Sequence, residues 1–186
     1  EIGSGLVGSE MCIRDSCIRR YFMNSKKLFI WGFLFVSVIG TLLHFVYEWS
    51  GNNSIVRLFA PWNESTWEHM KLLFFPMLVL ILFLFFKLPE QSPIPVTLSI
   101  GTLVGLALIP ILFYTYTGVL GFSVMAIDIA IFYISVLGAF LIGWFLKDNR
   151  ELANRRGLLL TCLVILAILF FICLLYTSPS PRDRSL

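Results

Sequence analysis

The side chains best able to do chemistry gather in two short stretches of a 186-residue chain that carries only two histidines. One is His44-Phe45-Val46-Tyr47-Glu48-Trp49; the other is Pro61-Trp62-Asn63-Glu64-Ser65-Thr66-Trp67-Glu68-His69-Met70-Lys71-Leu72. Imidazoles and carboxylates held together can relay protons or bind cations. At helical spacing His44 and Glu48 lie one turn apart, and Glu64, Glu68 and Lys71 fall on one side. Two carboxylates in that arrangement repel unless a proton or cation is shared, and Lys71 is placed to be that cation. Ser65-x-x-Glu68 also reads as a capping box, the serine accepting from an early amide and the glutamate reaching back. The segment therefore has two readings. It is an interfacial helix cap anchored by tryptophans, or it forms a proton or metal site with His44 and Glu48. Asp128 is the remaining candidate: it lies within an apolar run, where an ionisable group is costly unless it faces the bundle and meets a partner such as His44, or water.

The elements that position these residues follow from composition. Hydrophobic residues make up 58% of the chain, charged residues only 13%, and the mean hydropathy is +0.87, outside the range of water-soluble domains. Apolar runs long enough to cross about 30 Å of hydrocarbon lie near 28–47, 70–88, 95–115 and 121–146, with a shorter one over 157–172. The fold class is therefore all-α, a polytopic transmembrane bundle of about five spans in a single domain over 17–172. A water-soluble bundle is disfavoured because these helices are apolar on every side rather than along one stripe.

Lys and Arg are retained on the cytoplasmic side, which sets orientation. Arg19, Arg20, Lys26 and Lys27 precede the first run, Lys87 follows the second, and Lys147, Arg150, Arg155 and Arg156 separate the fourth from the fifth. Only Arg57 and Lys71 fall opposite. The amino terminus is expected inside, in a multi-pass protein of the cell membrane with His44, Glu68, His69 and Asp128 near the outer face. Trp31 and Trp144 would anchor the inner interface, and Tyr47, Trp49, Trp62, Trp67, Tyr114 and Tyr116 the outer one.

Without a hydrophobic force between helices in lipid, small residues mark where spans meet. Ser37, Gly40, Thr41, His44 and Glu48 form one stripe; Thr97, Gly101 and Gly105 form a second, containing a GxxxG pattern; Asp128, Ser135 and Ala139 form a third, with Gly138 and Gly143 beside it. The GxxxG could equally support a homo-oligomer. Pro76 and Pro110 are expected to kink their spans and free backbone carbonyls.

Both ends read as translated adapter DNA rather than native protein. The codons ATG-TGT-ATA-AGA-GAC-AG give Met11-Cys12-Ile13-Arg14-Asp15-Ser16, and their opposite strand gives Cys173-Leu174-Leu175-Tyr176-Thr177. Residues 1–16 and 173–186 are accordingly expected to be artefact in a bacterial, truncated metagenomic fragment. Met23 is then the native start, and the native carboxyl end is missing. Cys12 and Cys173 fall in those ends, Cys17 precedes the expected start and Cys162 lies in an apolar run, so no disulfide framework is indicated. No P-loop, dinucleotide fingerprint, haem motif or nucleic-acid module occurs, so no cofactor or nucleic-acid partner is implied.

The run Asn63-Glu64-Ser65-Thr66-Trp67-Glu68-His69-Met70-Lys71-Leu72, with His44 to Trp49 upstream and Tyr114-x-Tyr116-x-Gly118 and Asp128 downstream, resembles a bacterial family of small integral membrane proteins of unknown function. In that family Pro-Val-Asn-Glu-Ser-x-Trp-Glu-His-x-Lys-Leu recurs. This chain has Trp62 in place of the valine and lacks the family's polar, proline-containing tail. The resemblance implies a membrane bundle but no activity. Three functions stay open. The first is a proton or cation transport or channel component using His44, Glu48 and Asp128. The second is an intramembrane metal-dependent enzyme with His44, Glu48, Glu68 and His69 as ligands and Glu64 as base, although no HExxH or serine-histidine-aspartate pattern supports it. The third is a structural or partner-binding subunit.

Overall fold

The structure, a computed structural model, describes residues 4–51, 53, 55–61, 65–88 and 92–176, with side chains described between 25 and 172 except those of residues 48, 57, 150, 153, 169 and 171. It is all-helical: α1 (Ser4–Trp49), α2 (Thr66–Lys87), α3 (Ile94–Leu120), α4 (Met125–Leu146) and α5 (Arg156–Tyr176), with 3-10 turns at Val56–Leu58 and Arg150–Arg155. Residues 4–16, expected to be adapter translation, continue α1 as helix. Four segments, Ser25–Tyr47, Thr66–Lys87, Ile94–Leu120 and Met125–Leu146, are long and apolar enough to cross a membrane. A 22-residue helix rises about 33 Å, enough for the hydrocarbon layer. In α5 the apolar stretch recognised is the shorter Arg156–Ile168.

Local chemistry sets the helix ends. Ser65 caps α2, its hydroxyl accepting from the Glu68 amide at 3.3 Å. Pro95 sits in the first turn of α3, where a missing N–H costs nothing. Gly121 ends α3 in the left-handed region at φ 79°, its N–H donating to the Thr117 carbonyl. That turn shifts two boundaries from their sequence-based positions. α3 continues past residue 115 to Leu120, and α4 begins at Met125 instead of 121.

The helices alternate in direction. Phe29 near the start of the first span meets Phe140 and Trp144 near the end of α4, and Arg156 at the start of α5 donates to the Phe85 carbonyl near the end of α2. α3 and α4 share the most extensive interface, α2 packs on α3, and α1 lies across α2 and α4. The core is Val36, Leu73, Phe74, Met77, Ile81, Leu98, Val136, Ala139 and their neighbours. Outward-facing side chains such as Ile30, Phe86, Val119, Met125 and Phe145 are large, apolar and more than half exposed, as lipid-facing surfaces require.

Candidate functional site

One end of the bundle, where α1 ends and α2 begins, holds most of the singled-out residues that the structure describes. His44 from α1 and His69 from α2 bring their rings together, with centres 5.5 Å apart and planes tilted by 39°. The Nδ1 of His69 lies 3.0 Å from the Ser65 carbonyl, the last turn before the helix proper. On its other side His44 meets Phe45 edge-to-face at 5.2 Å. The two histidines are thus a contact between helices, created by the packing of α1 on α2.

Immediately beside them lies a buried ion pair. Lys71 Nζ donates to both oxygens of Glu68 at 2.8 Å each, and the two side chains are 0% and 2% exposed. Their i, i+3 spacing on α2 allows the contact, and the surrounding apolar side chains remove water. Lys71 is the cation expected for this cluster, and it closes on Glu68. The capping box forms only in part: Ser65 accepts from the Glu68 amide, but the Glu68 carboxylate turns to Lys71. A charged partner offers the carboxylate a stronger bond than a backbone amide. Trp62, Asn63 and Glu64, and the side chain of Glu48, lie outside the described residues.

Asp128 occupies a separate position. Because α4 starts at Met125, the carboxylate lies in the first helical turn, not two turns deep as a start at 121 would place it. There the positive end of the helix dipole favours it. Its partner is Tyr116, whose hydroxyl donates a hydrogen bond to the carboxylate and accepts one from the Val124 amide at 3.2 Å. From sequence, Tyr116 is expected at the outer interface and His44 is a candidate partner for Asp128. The structure instead pairs Asp128 with Tyr116 across the α3–α4 turn. Twelve residues of separation around Gly121 could have suggested that clasp.

Among the described residues no three His, Cys, Asp or Glu side chains converge as a preformed metal cage. Glu68, proposed as a ligand from sequence, has both oxygens engaged by Lys71.

A family model for the DUF6512 family of unknown function matches residues 18–182. The chain belongs to this family. The matched span takes in residues 173–182, for which the codon argument expects adapter translation. No curated protein and no solved structure matches the chain.

In this DUF6512 member the small-residue stripes face neighbouring helices. A Cβ added at Gly101 would lie 2.1 Å from the Ala139 carbonyl oxygen, and one at Gly105 would lie 2.9 Å from that of Ser135. The hydrogens replaced therefore point at those carbonyls, a Cα–H···O arrangement between close-packed helices. The GxxxG pattern is consequently covered by α4 of the same chain. Gly40 approaches the Leu72 carbonyl, 2.7 Å from an added Cβ. Pro76, four residues on, cannot donate to that carbonyl, so the proline leaves an acceptor where α1 comes close. Gly138 packs against Leu108. Further along α1, Tyr133 and Thr41 share a hydrogen bond at 3.0 Å, while Thr41 donates to the Ser37 carbonyl. The hydroxyls of Ser37 and Ser135, midway along their helices, are buried with no hydrogen-bond partner.

The tryptophans divide. Trp31 and Trp49 are 69% and 70% exposed near opposite ends of the first span. Trp144 is half-buried against Phe29, with the Lys147 ammonium 4.4 Å from its ring centre. Trp67 turns inward against Phe170 of α5, and its indole N–H is buried without a partner. It is therefore a helix-packing residue, not the exposed anchor its position suggested. The cause is Phe170 of α5, whose ring lies against the indole.

Proposed function

We propose that this protein is a proton- or cation-handling component of a membrane, working from the end that carries His44 and His69. One observation carries the reading: a completely enclosed Glu68–Lys71 pair inside a helix able to span the membrane. Charges in such a place are expensive, and a buried pair is often no better for stability than apolar residues of similar volume, so its presence here favours a functional role. Glu68 and Lys71, in hydrogen-bond contact, can pass a proton between carboxylate and amine. The neighbouring imidazoles supply the side chain best suited to exchanging protons with neutral water.

The polar groups continue inward from there. Thr41 lies one turn below His44, and the unpartnered hydroxyls of Ser37 and Ser135 lie deeper, at mid-bundle, where water would satisfy them. Asp128, clasped by Tyr116, is on this reading a structural pin of the α3–α4 turn. The positive-inside bias puts the histidine end outside and the amino terminus in the cytoplasm.

Reconstitution into liposomes with an imposed pH gradient tests the proposal. Protein-dependent proton flux is expected, with Glu68→Gln combined with Lys71→Met reducing it at least about tenfold, while Asp128→Asn retains most of it in protein that stays folded. Flux no greater than that of protein-free liposomes would reject the reading.

A further inference from the structure

We infer that His44 and His69 form a binding site for a single divalent transition-metal ion of zinc-like chemistry, bridging α1 and α2. The spacing of the rings is the first support. With a zinc–nitrogen bond of about 2.1 Å, each ring centre lies about 3.2 Å from the ion, and a tetrahedral angle separates the two centres by about 5.2 Å. The observed separation is 5.5 Å.

The second support is how His69 is held. Its Nδ1 faces the Ser65 carbonyl at 3.0 Å, the outer-sphere contact that characterises histidines bound to metals. That contact orients the ring, and in this proposal Nε2 is the nitrogen that holds the ion. Ser65 is itself held as the N-cap of α2, so the supporting carbonyl belongs to a defined turn. The third support is electrostatic. The nearby Lys71 ammonium is neutralised by Glu68, so the adjoining charge does not repel a cation.

Two imidazoles select zinc, copper or nickel over magnesium or calcium, which prefer oxygen ligands. Water completes the coordination shell. A bound ion would tie the end of α1 to the start of α2, beside the buried pair. The inference does not rest on transport, because binding is measured on purified protein and flux on liposomes, so each can fail without the other.

The experiment is titration of the full-length, detergent-purified protein, stripped of metal, with zinc chloride by calorimetry and with cobalt chloride by visible absorption. One zinc per chain is expected. His44→Ala and His69→Ala each weaken binding at least about tenfold, and Lys87→Ala, at the opposite end, leaves it unchanged. His44→Cys, which supplies another zinc ligand, restores binding and adds a thiolate-to-cobalt charge-transfer band. Circular dichroism and a single symmetric elution peak establish that the variants are folded. Absence of saturable zinc binding by the wild-type protein overturns the inference, as does undiminished binding in the folded double variant His44→Ala/His69→Ala.

Discussion

Lys71 has no exposed surface, yet it lies one turn into a helix that from Leu72 to Phe86 is entirely apolar. What makes this tolerable is Glu68, which offers both carboxylate oxygens three residues earlier. Breaking such a pair from one side leaves an uncompensated charge, whereas removing both sides leaves none. Lys71→Met alone is therefore expected to destabilise the protein by about 3–5 kcal/mol. The Glu68→Gln/Lys71→Met double variant should recover most of that loss. Thermal unfolding in detergent micelles, run on both single variants and the double, measures the coupling. Equal destabilisation in the single and double lysine variants would show that Lys71 matters for packing alone.

Helix against helix, the tightest joint is α3 on α4, where glycine lets one backbone approach another. At Gly101 the space for a methyl group is occupied by a backbone carbonyl, which cannot rotate aside as a side chain can. Gly101→Ala should cost about 1–3 kcal/mol, the range for overpacking a well-filled interior. Gly118, in the same helix, has nothing within 4 Å of an added Cβ. Gly118→Ala should be neutral, or stabilising by up to about 1 kcal/mol through helix propensity. The pair of variants, compared by the same melting measurement, separates interhelix contact from propensity. The clasp of Tyr116 on Asp128 ties the short α3–α4 connection down: the tyrosine holds both the first turn of α4 and the Val124 amide before it.

Across the molecule, charge and chemistry separate to opposite ends. Lys26, Lys27, Lys87, Lys147 and Arg156 occupy one end, with His44, His69 and Asp128 at the other. In a background without other cysteines, Ser50→Cys should react with a membrane-impermeant maleimide applied to intact cells, and Asn149→Cys should react only after lysis. The reverse pattern would place the basic end outside and remove the histidine pair from the external face. α5 adds a second layer to that picture. Its aromatic Phe170 touches both Trp67 and Phe74, one on either side of the Glu68–Lys71 pair in the sequence of α2.

Hydropathy and helix signals are local properties, readable without knowing what lies across the bundle. They placed the membrane-crossing helices, the Ser65 cap and the three-residue spacing that lets Lys71 answer Glu68. The same residues could not reveal the rotation of one helix against another, since every side of these helices is apolar enough to face a neighbour or lipid. Folding decided that His44 meets His69, that Gly101 lies on Ala139 and not on another chain, and that Trp67 faces α5. It also separated Asp128 from the histidines, because a glycine turn moved the start of α4 and a tyrosine from α3 was nearer than any imidazole.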